Sequence, residues 1–252
     1  MCGRFVLTQT AAQIEALFAI MPLEGGLAPR YNIAPTQPIL MIAAGYRREP
    51  GSNLPDRRAE LVRWGLLPSW VKDVKAFPLL INARSETVAE KNAFRAALRH
   101  RRTLVPASGF YEWKRDGKGR PQPFFLKPRH GGAVAFAGLM ETFIDPNGSE
   151  MDTGAILTTS ANETLAPIHD RMPVVIHEQD FAEWLDCVGN EPRDVAHLMR
   201  PAEPDLFEAI PVSDRVNKVA NDDPALVHPA LVAPEPVVEK KQKPKTDQLN
   251  LF

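Results

Sequence analysis

Residues 103–159 read TLVPASGFYEWKRDGKGRPQPFFLKPRHGGAVAFAGLMETFIDPNGSEMDTGAILTT. Runs of β-branched, aromatic and other apolar residues alternate here with turn formers. Thr103–Lys114 predicts a strand, Asp116-Gly117-Lys118-Gly119 a turn, and Pro123–Lys127 the returning hairpin partner. Val134–Ile144 and Gly154–Thr159 predict a second pair, joined through Asp145-Pro146-Asn147-Gly148. Successive strands with no helix between them lack the crossovers that a parallel sheet needs, so the pairing is antiparallel.

Further strands are expected at Cys2–Leu7, Gln37–Ala44, Ala59–Trp64, Pro173–His177 and Leu206–Val212. The segment 45–58 is a polar loop, and Met21–Pro38 and Pro68–Pro78 read as irregular. Thr10, followed three residues later by Gln13, predicts a capped helix with Ile14, Leu17 and Phe18 on one face. Ser85 is expected to cap a helix reaching Leu98. Short helices are expected at Thr159–Ala166, Gln179–Cys187 and Pro192–Met199. The fold class is therefore α+β: mostly antiparallel β, barrel-like, with short flanking helices. Residues 1–222 read as one domain. Residues 223–252 read as a disordered tail rich in Pro and Lys.

Composition narrows the function. The chain has 252 residues, 44% hydrophobic and 24% charged, which excludes a wholly disordered or fibrous protein. Its 24 prolines are about twice the average share of about 5% and exclude a long helical bundle. Two cysteines make no disulfide framework and no zinc-ligand spacing. The N-terminus has no apolar run of signal-peptide length, and the longest apolar run, about ten residues at Gly131–Met140, is too short to span a membrane, so a cytoplasmic, nucleoid-associated protein is expected, with a monomer as the default. No metal or organic cofactor is called for. Residues 1–130 hold 21 Lys and Arg against 10 Asp and Glu, and the remainder 9 against 21. A basic face in the fold would suit a polyanion; interleaved halves would pair with each other instead.

Cys2 is the residue with the most unusual chemistry. The small second residue favours removal of Met1, which leaves an α-amine beside the thiol. These groups titrate near 7.7–8.0 and 8.5, so both are partly nucleophilic at neutral pH. A 1,2-aminothiol condenses with an aldehyde to an imine and closes to a thiazolidine. A buried structural cysteine is the alternative. Glu112, between Tyr111 and Trp113, is either a carboxyl whose pKa an apolar setting would raise toward neutrality or an edge-strand glutamate in water. His169 is a proton carrier. Asn82 offers a neutral donor and acceptor.

Six motifs in order carry a resemblance. They are Cys2-Gly3-Arg4-Phe5, Tyr31-Asn32-Ile33-Ala34-Pro35, and Trp64-Gly65-Leu66-Leu67-Pro68-Ser69-Trp70. Then follow Asn82-Ala83-Arg84-Ser85-Glu86-Thr87, Gly109-Phe110-Tyr111-Glu112-Trp113 and Ile168-His169-Asp170-Arg171-Met172-Pro173. From residue 2 to about 215 the chain resembles the SOS response-associated peptidase (SRAP) family. The resemblance implies a sensor of abasic sites in single-stranded DNA. It implies crosslinking to the ring-opened sugar through the N-terminal cysteine, reversal of that crosslink with lyase-like chemistry, and autoproteolytic removal of Met1. It assigns catalysis to Cys2, Asn82, Glu112 and His169.

For DNA, Arg4, Arg84 and Arg171 are candidate phosphate contacts. Trp64, Trp70 and Trp113 offer faces for unpaired bases, although core packing is expected for at least one. Pro35 is a candidate wedge. Thr159, with Thr158 and Ser160, touches phosphate or starts a helix. Residues 99–102 extend a basic face or form a solvated helix end, and Cys187 is expected to be buried and inert. The segment Gln248-Leu249-Asn250-Leu251-Phe252 resembles the pentapeptide that docks on the bacterial sliding clamp, with Asn250 where Ser or Asp is commoner. Two alternatives stand beside this reading. One is an N-terminal cysteine amidotransferase, which also opens Met-Cys-Gly but continues with apolar residues. The other is a DNA-binding module without covalent chemistry.

Overall fold

The computed structural model describes residues 2–46, 52–115 and 120–230. The chain forms, in order, β1 (Phe5–Leu7), α1 (Ala11–Phe18), β2 (Arg30–Ile33), β3 (Pro38–Ala44), β4 (Arg57–Trp64) and β5 (Asn82–Arg84). It continues with α2 (Asn92–His100), β6 (Arg102–Ala107), β7 (Gly109–Lys114), β8 (Gln122–Pro128), β9 (Val134–Ile144) and β10 (Glu150–Ser160). Then come β11 (Arg171–Pro173), β12 (Val175–Ile176), α3 (Phe181–Leu185) and β13 (Phe207–Pro211). Among the described residues no helix is long and apolar enough to cross a membrane.

The strands make two sheets. One has the order β13-β8-β7-β1-β2 and is antiparallel throughout. The other runs β11-β10-β4-β3-β6-β9-β12, with β5 also on β10. Strand β9 pairs with β10 as well as with β6, so β10, β4, β3, β6 and β9 close into a ring. The expected antiparallel, mostly β fold with short helices is what forms; parallel pairing is confined to β10 with β4 and with β5.

The expected strand Thr103–Lys114 is two strands, β6 in the ring and β7 in the smaller sheet. They part at Ser108, whose amide donates to Val6 O at 2.7 Å. Gly109 follows with φ of +152°. A Cβ there would lie 2.4 Å from Leu126 O, so only glycine lets the chain pass from one sheet to the other. An aromatic cluster fills the space between the sheets. Phe5 meets Trp64 at 5.3 Å, and Phe110 meets Phe136 at 5.8 Å and Phe207 at 5.4 Å, all edge to face. Successive residues of β7 alternate between faces. Phe110 joins this main core, while Tyr111 and Trp113 join a second cluster with Val6, Phe125, Val212, Val216 and Leu226.

Local expectations hold where side chains act on neighbours in sequence. Thr10 caps α1 and forms the full capping box with Gln13. Asp145 accepts the amides of Asn147 and Ser149 and turns β9 into β10. The β7–β8 hairpin pairs from Phe110↔Leu126 to Lys114↔Gln122; the turn at 116–119 lies outside the described residues. Other expectations fail where a distant partner intervenes. The helix expected from Ser85 starts at Asn92, because the Ser85 amide is committed to Thr158 O and extends the β5 ladder. Residues 161–168 form turns rather than a helix: Asn162 accepts from the Leu165 amide and donates to Ala202 O and Glu203 O. The loop 21–38 contains β2, held by pairing with β1. Past residue 222 the chain still packs, in a 3₁₀ turn at Pro224–Val227 with Leu226 buried.

Arg102 is not on a basic face. It is 1% exposed and donates to Trp184 O, Leu98 O, Asp186 O and Asn190 O at 2.6, 3.0, 2.7 and 3.0 Å. Its guanidinium closes α2 and α3 onto β6. Arg102→Met leaves four carbonyls without this donor, and a loss of about 3 kcal/mol or more is expected in urea unfolding. A loss below about 1 kcal/mol would contradict the role assigned to this fork.

Candidate active site

Glu112 is placed by the alternation of β7. It shares a face with Phe110 and so points between the sheets, where its side chain is 3% exposed. Burial raises its carboxyl to a pKa of about 7. The amide of Tyr111 donates to Arg4 O at 2.9 Å, continuing the β1–β7 pairing toward the start of the chain. That pairing draws Cys2 to the same place. Cys2 is fully buried, with Sγ 4.0 Å from Arg4 O. Burial first, and the Glu112 charge second, push its thiol well above the usual cysteine range.

His169 stands over this pair, with Nε2 3.9 Å from Glu112 Oε2. Its Nδ1 accepts the Arg171 amide at 3.0 Å, so the proton of the neutral ring sits on Nε2, facing Glu112. The Asp170 carboxylate lies 3.0 Å from the same Nδ1, but it is exposed and free to turn, so the fixed amide decides the tautomer. Partial burial lowers the His169 pKa and favours that neutral ring. Cys2, Glu112 and His169, separate in sequence, thus form one cluster of a thiol, a carboxyl poised near neutrality and an imidazole.

The other candidates lie along strand β10. Asn82 pairs with Ile156, and Arg84 with Thr158, on one side; Arg171 pairs with Ser160 on the other. Asn82 Nδ2 donates to Ile156 O at 3.4 Å, while its Oδ1 is buried with no hydrogen-bond partner. An orphaned buried acceptor is uncommon in a native fold. Arg84 is exposed. Arg171 is held: its fork meets Glu86 at 2.6 and 2.9 Å, and Nη2 also donates to Thr158 O at 2.6 Å. Thr159 is 4% exposed and offers solvent little, whereas Ser160 is exposed.

The tryptophans divide. Trp64 is fully buried and donates Nε1 to Ile81 O at 2.9 Å, so it packs the core and has no face for a base. Trp70 is 57% exposed and is braced edge to face by Phe77. Trp113 is half-buried, with Nε1 on Asn217 Oδ1 at 2.8 Å. Pro35 is half-buried in a tight turn closed by Gln37 N on Ala34 O at 3.2 Å. Thr36 follows with φ of +73°, an uncommon state for a β-branched residue and one that exposes the turn's tip. Arg4 Nη1 is tied to Asn32 Oδ1 and Val216 O, both at 2.7 Å.

Asn32 and Glu86 are the residues that sequence reasoning passed over. Asn32 is 1% exposed and donates to the carbonyls of Val216, Lys218 and Asn221. It locks the C-terminal turns beneath Arg4 and Trp113. Both residues lie inside quoted motifs; for Asn32 a polar residue amid apolar neighbours is the available signal, while Glu86, between Ser85 and Thr87, carries none. Among the described residues no group of three or more His, Cys, Asp or Glu side chains is placed to hold a metal ion.

Known proteins match this arrangement along its length. Abasic site processing protein YoqW of Bacillus subtilis (strain 168) is 40% identical over 230 residues, 90% of this chain and 99% of its own. Abasic site processing protein YedK of Escherichia coli (strain K12) is 32% identical over 237 residues, 91% of this chain and all of its own. A crystal structure of a Bacteroides thetaiotaomicron protein superposes with a TM-score of 0.78 at 24% identity, over 91% of this chain and all of that one, which shows a shared fold. The family described as SOS response associated peptidase (SRAP) matches residues 1–219, and the chain belongs to it.

Proposed function

We propose that this chain processes abasic sites by capturing the ring-opened sugar covalently in single-stranded DNA. The observation that carries the reading is the buried Cys2–Glu112–His169 cluster, whose carboxyl is poised near pH 7. The names of YoqW and YedK support the substrate class. After Met1 is removed, the Cys2 amine attacks the sugar aldehyde carbon. Glu112, protonated, gives its proton to the carbinolamine oxygen, which leaves as water; the nitrogen's own proton passes to the Glu112 carboxylate, and an imine remains. The thiol then adds across the C=N bond, sulfur to carbon and proton to nitrogen, and closes a thiazolidine. His169 Nε2 exchanges protons with Glu112, and Asn82 orients the amine or the aldehyde oxygen. The same steps in reverse, with water adding to the imine carbon, release the DNA; in the proposed autoproteolysis water attacks the Met1 carbonyl carbon, and the Cys2 nitrogen leaves as an amine that takes its proton through Glu112.

Arg84, Trp70, Trp113 and the Pro35 turn supply the strand path, with Arg4 and Arg171 as further phosphate contacts. The protein acts in the cytoplasm, at the nucleoid, as a monomer. Gln248–Phe252 lies outside the described residues; its proposed partner is the replication sliding clamp, and deleting these five residues is expected to remove the clamp from a pull-down.

Cys2→Ala is expected to abolish the adduct with an abasic single-stranded oligonucleotide on a denaturing gel and by intact mass. A normal yield would overturn the cysteine chemistry. For Glu112 the sign follows from a folded pKa of about 7 raised above an ordinary 4.5. The folded state holds this proton more tightly, so wild-type stability falls as pH climbs from about 4.5 to about 7 and is then level. Glu112→Gln is expected to remove that fall and to gain up to about 3 kcal/mol relative to wild type at pH 8 compared with pH 4. It should also slow adduct formation. Parallel urea-stability profiles for the two proteins would refute the buried, titrating carboxyl.

A further inference from the structure

Helix α2 buries Phe94, Ala97 and Leu98 and turns Asn92, Arg95, Ala96 and Arg99 to solvent. It has no acidic residue, and Lys91 precedes it on the same exposed side. Arg99 is paired with Glu191 at 2.8 Å, but among the described residues Arg95 has no hydrogen-bond or ion-pair partner. A groove of about 470 Å³ lies against this face, lined by Asn92, Arg95, Ala96 and Trp70. The Trp70 indole forms one wall, held by Phe77 at 5.6 Å. Ala96 is the small apolar residue of the lining.

We propose that this groove is a second nucleotide subsite, which carries an undamaged base of the single strand beyond the lesion. The inference rests on the strand-capture reading given above. The lining decides the occupant. An exposed indole beside a small aliphatic side chain accepts a flat base. Asn92 presents both a donor and an acceptor to a base edge. Arg95, with no carboxylate to satisfy, meets the backbone phosphate. An acidic peptide would use the arginine but not the indole. The chain runs from the exposed Arg84 at the end of β5 through the 85–91 turns directly into α2. Arg95 is a binding residue for the flanking strand, not a catalytic one.

The test uses the full chain and undamaged single-stranded oligonucleotides of roughly five and roughly fifteen nucleotides, lengths that bracket a single-strand site. A short abasic oligonucleotide reports the covalent chemistry separately. Arg95→Glu is expected to weaken binding of the long strand about tenfold and to lower the salt slope by about one, with little effect on the short strand. Trp70→Ala should weaken the long strand similarly, and Arg95→Lys should retain most of the affinity. The adduct yield of Arg95→Glu on the short abasic strand should equal wild type. Unchanged long-strand affinity in Arg95→Glu, or an equal loss at both lengths, would overturn the subsite. Absence of any wild-type adduct would instead overturn the capture reading, and the long-strand result on undamaged DNA would still decide the subsite.

Discussion

A carboxyl group inside a wall of aromatic rings is the constraint around which this molecule is arranged. The two-residue period of β7 forces Glu112 onto the same side as Phe110, between the sheets. Water cannot solvate its charge there, so the group takes up a proton near neutrality. A carboxyl of this kind accepts and returns protons in the range where amines and imines exchange them. Had the chain slipped by one residue in the β7–β8 pairing, Trp113 would face inward and the acid would lie under the C-terminal turns. The hairpin register therefore fixes both the packing and the chemistry.

The second organising element is the segment from Ser213 to Val227, which covers the outer face of the smaller sheet. Asn32 holds it by three carbonyls, and Tyr31 N is bonded to Asp222 Oδ1. Through Val216 O it reaches Arg4, and through Asn217 it reaches Trp113. Two candidate DNA contacts are thus positioned by residues 212 and 104 places away in sequence. On the other flank, Glu86 occupies the Arg171 fork with the two-point geometry that a phosphate would use. An incoming strand at Arg171 has to share or displace that carboxylate.

Patterning made much of the fold legible. The capping box at Thr10 and the turn at Asp145 depend on contacts within a few residues, and the strands from 122 to 160 show in their apolar runs between turn formers, so a sequence records those directly. The division of Thr103–Lys114 between two sheets was hidden, because a single glycine in a favourable strand pattern carries it. Strand β2 was hidden among prolines and exists through its pairing with β1. At the site, Cys2, Glu112 and His169 were named from their chemistry before their proximity was visible. The tryptophans could not be sorted, since Trp64 and Trp70 have the same side chain and differ only in what surrounds them. Arg102 read as part of a basic run, and nothing local distinguishes it from Arg101; its four carbonyl partners come from the end of α2 and from the region of α3.

The depth at which Cys2 lies has a further consequence. A thiol with no exposed surface and a pKa pushed upward holds almost no thiolate. Peroxides and soft alkylating agents react with thiolates, so they find the partly exposed Cys187 more accessible than Cys2. The fold thereby keeps one sulfur chemically silent toward the small oxidants of a stressed cell. In the proposed chemistry that silence ends only when a carbon electrophile is delivered to the adjoining nitrogen, which makes the order of events, rather than the strength of the nucleophile, the source of selectivity.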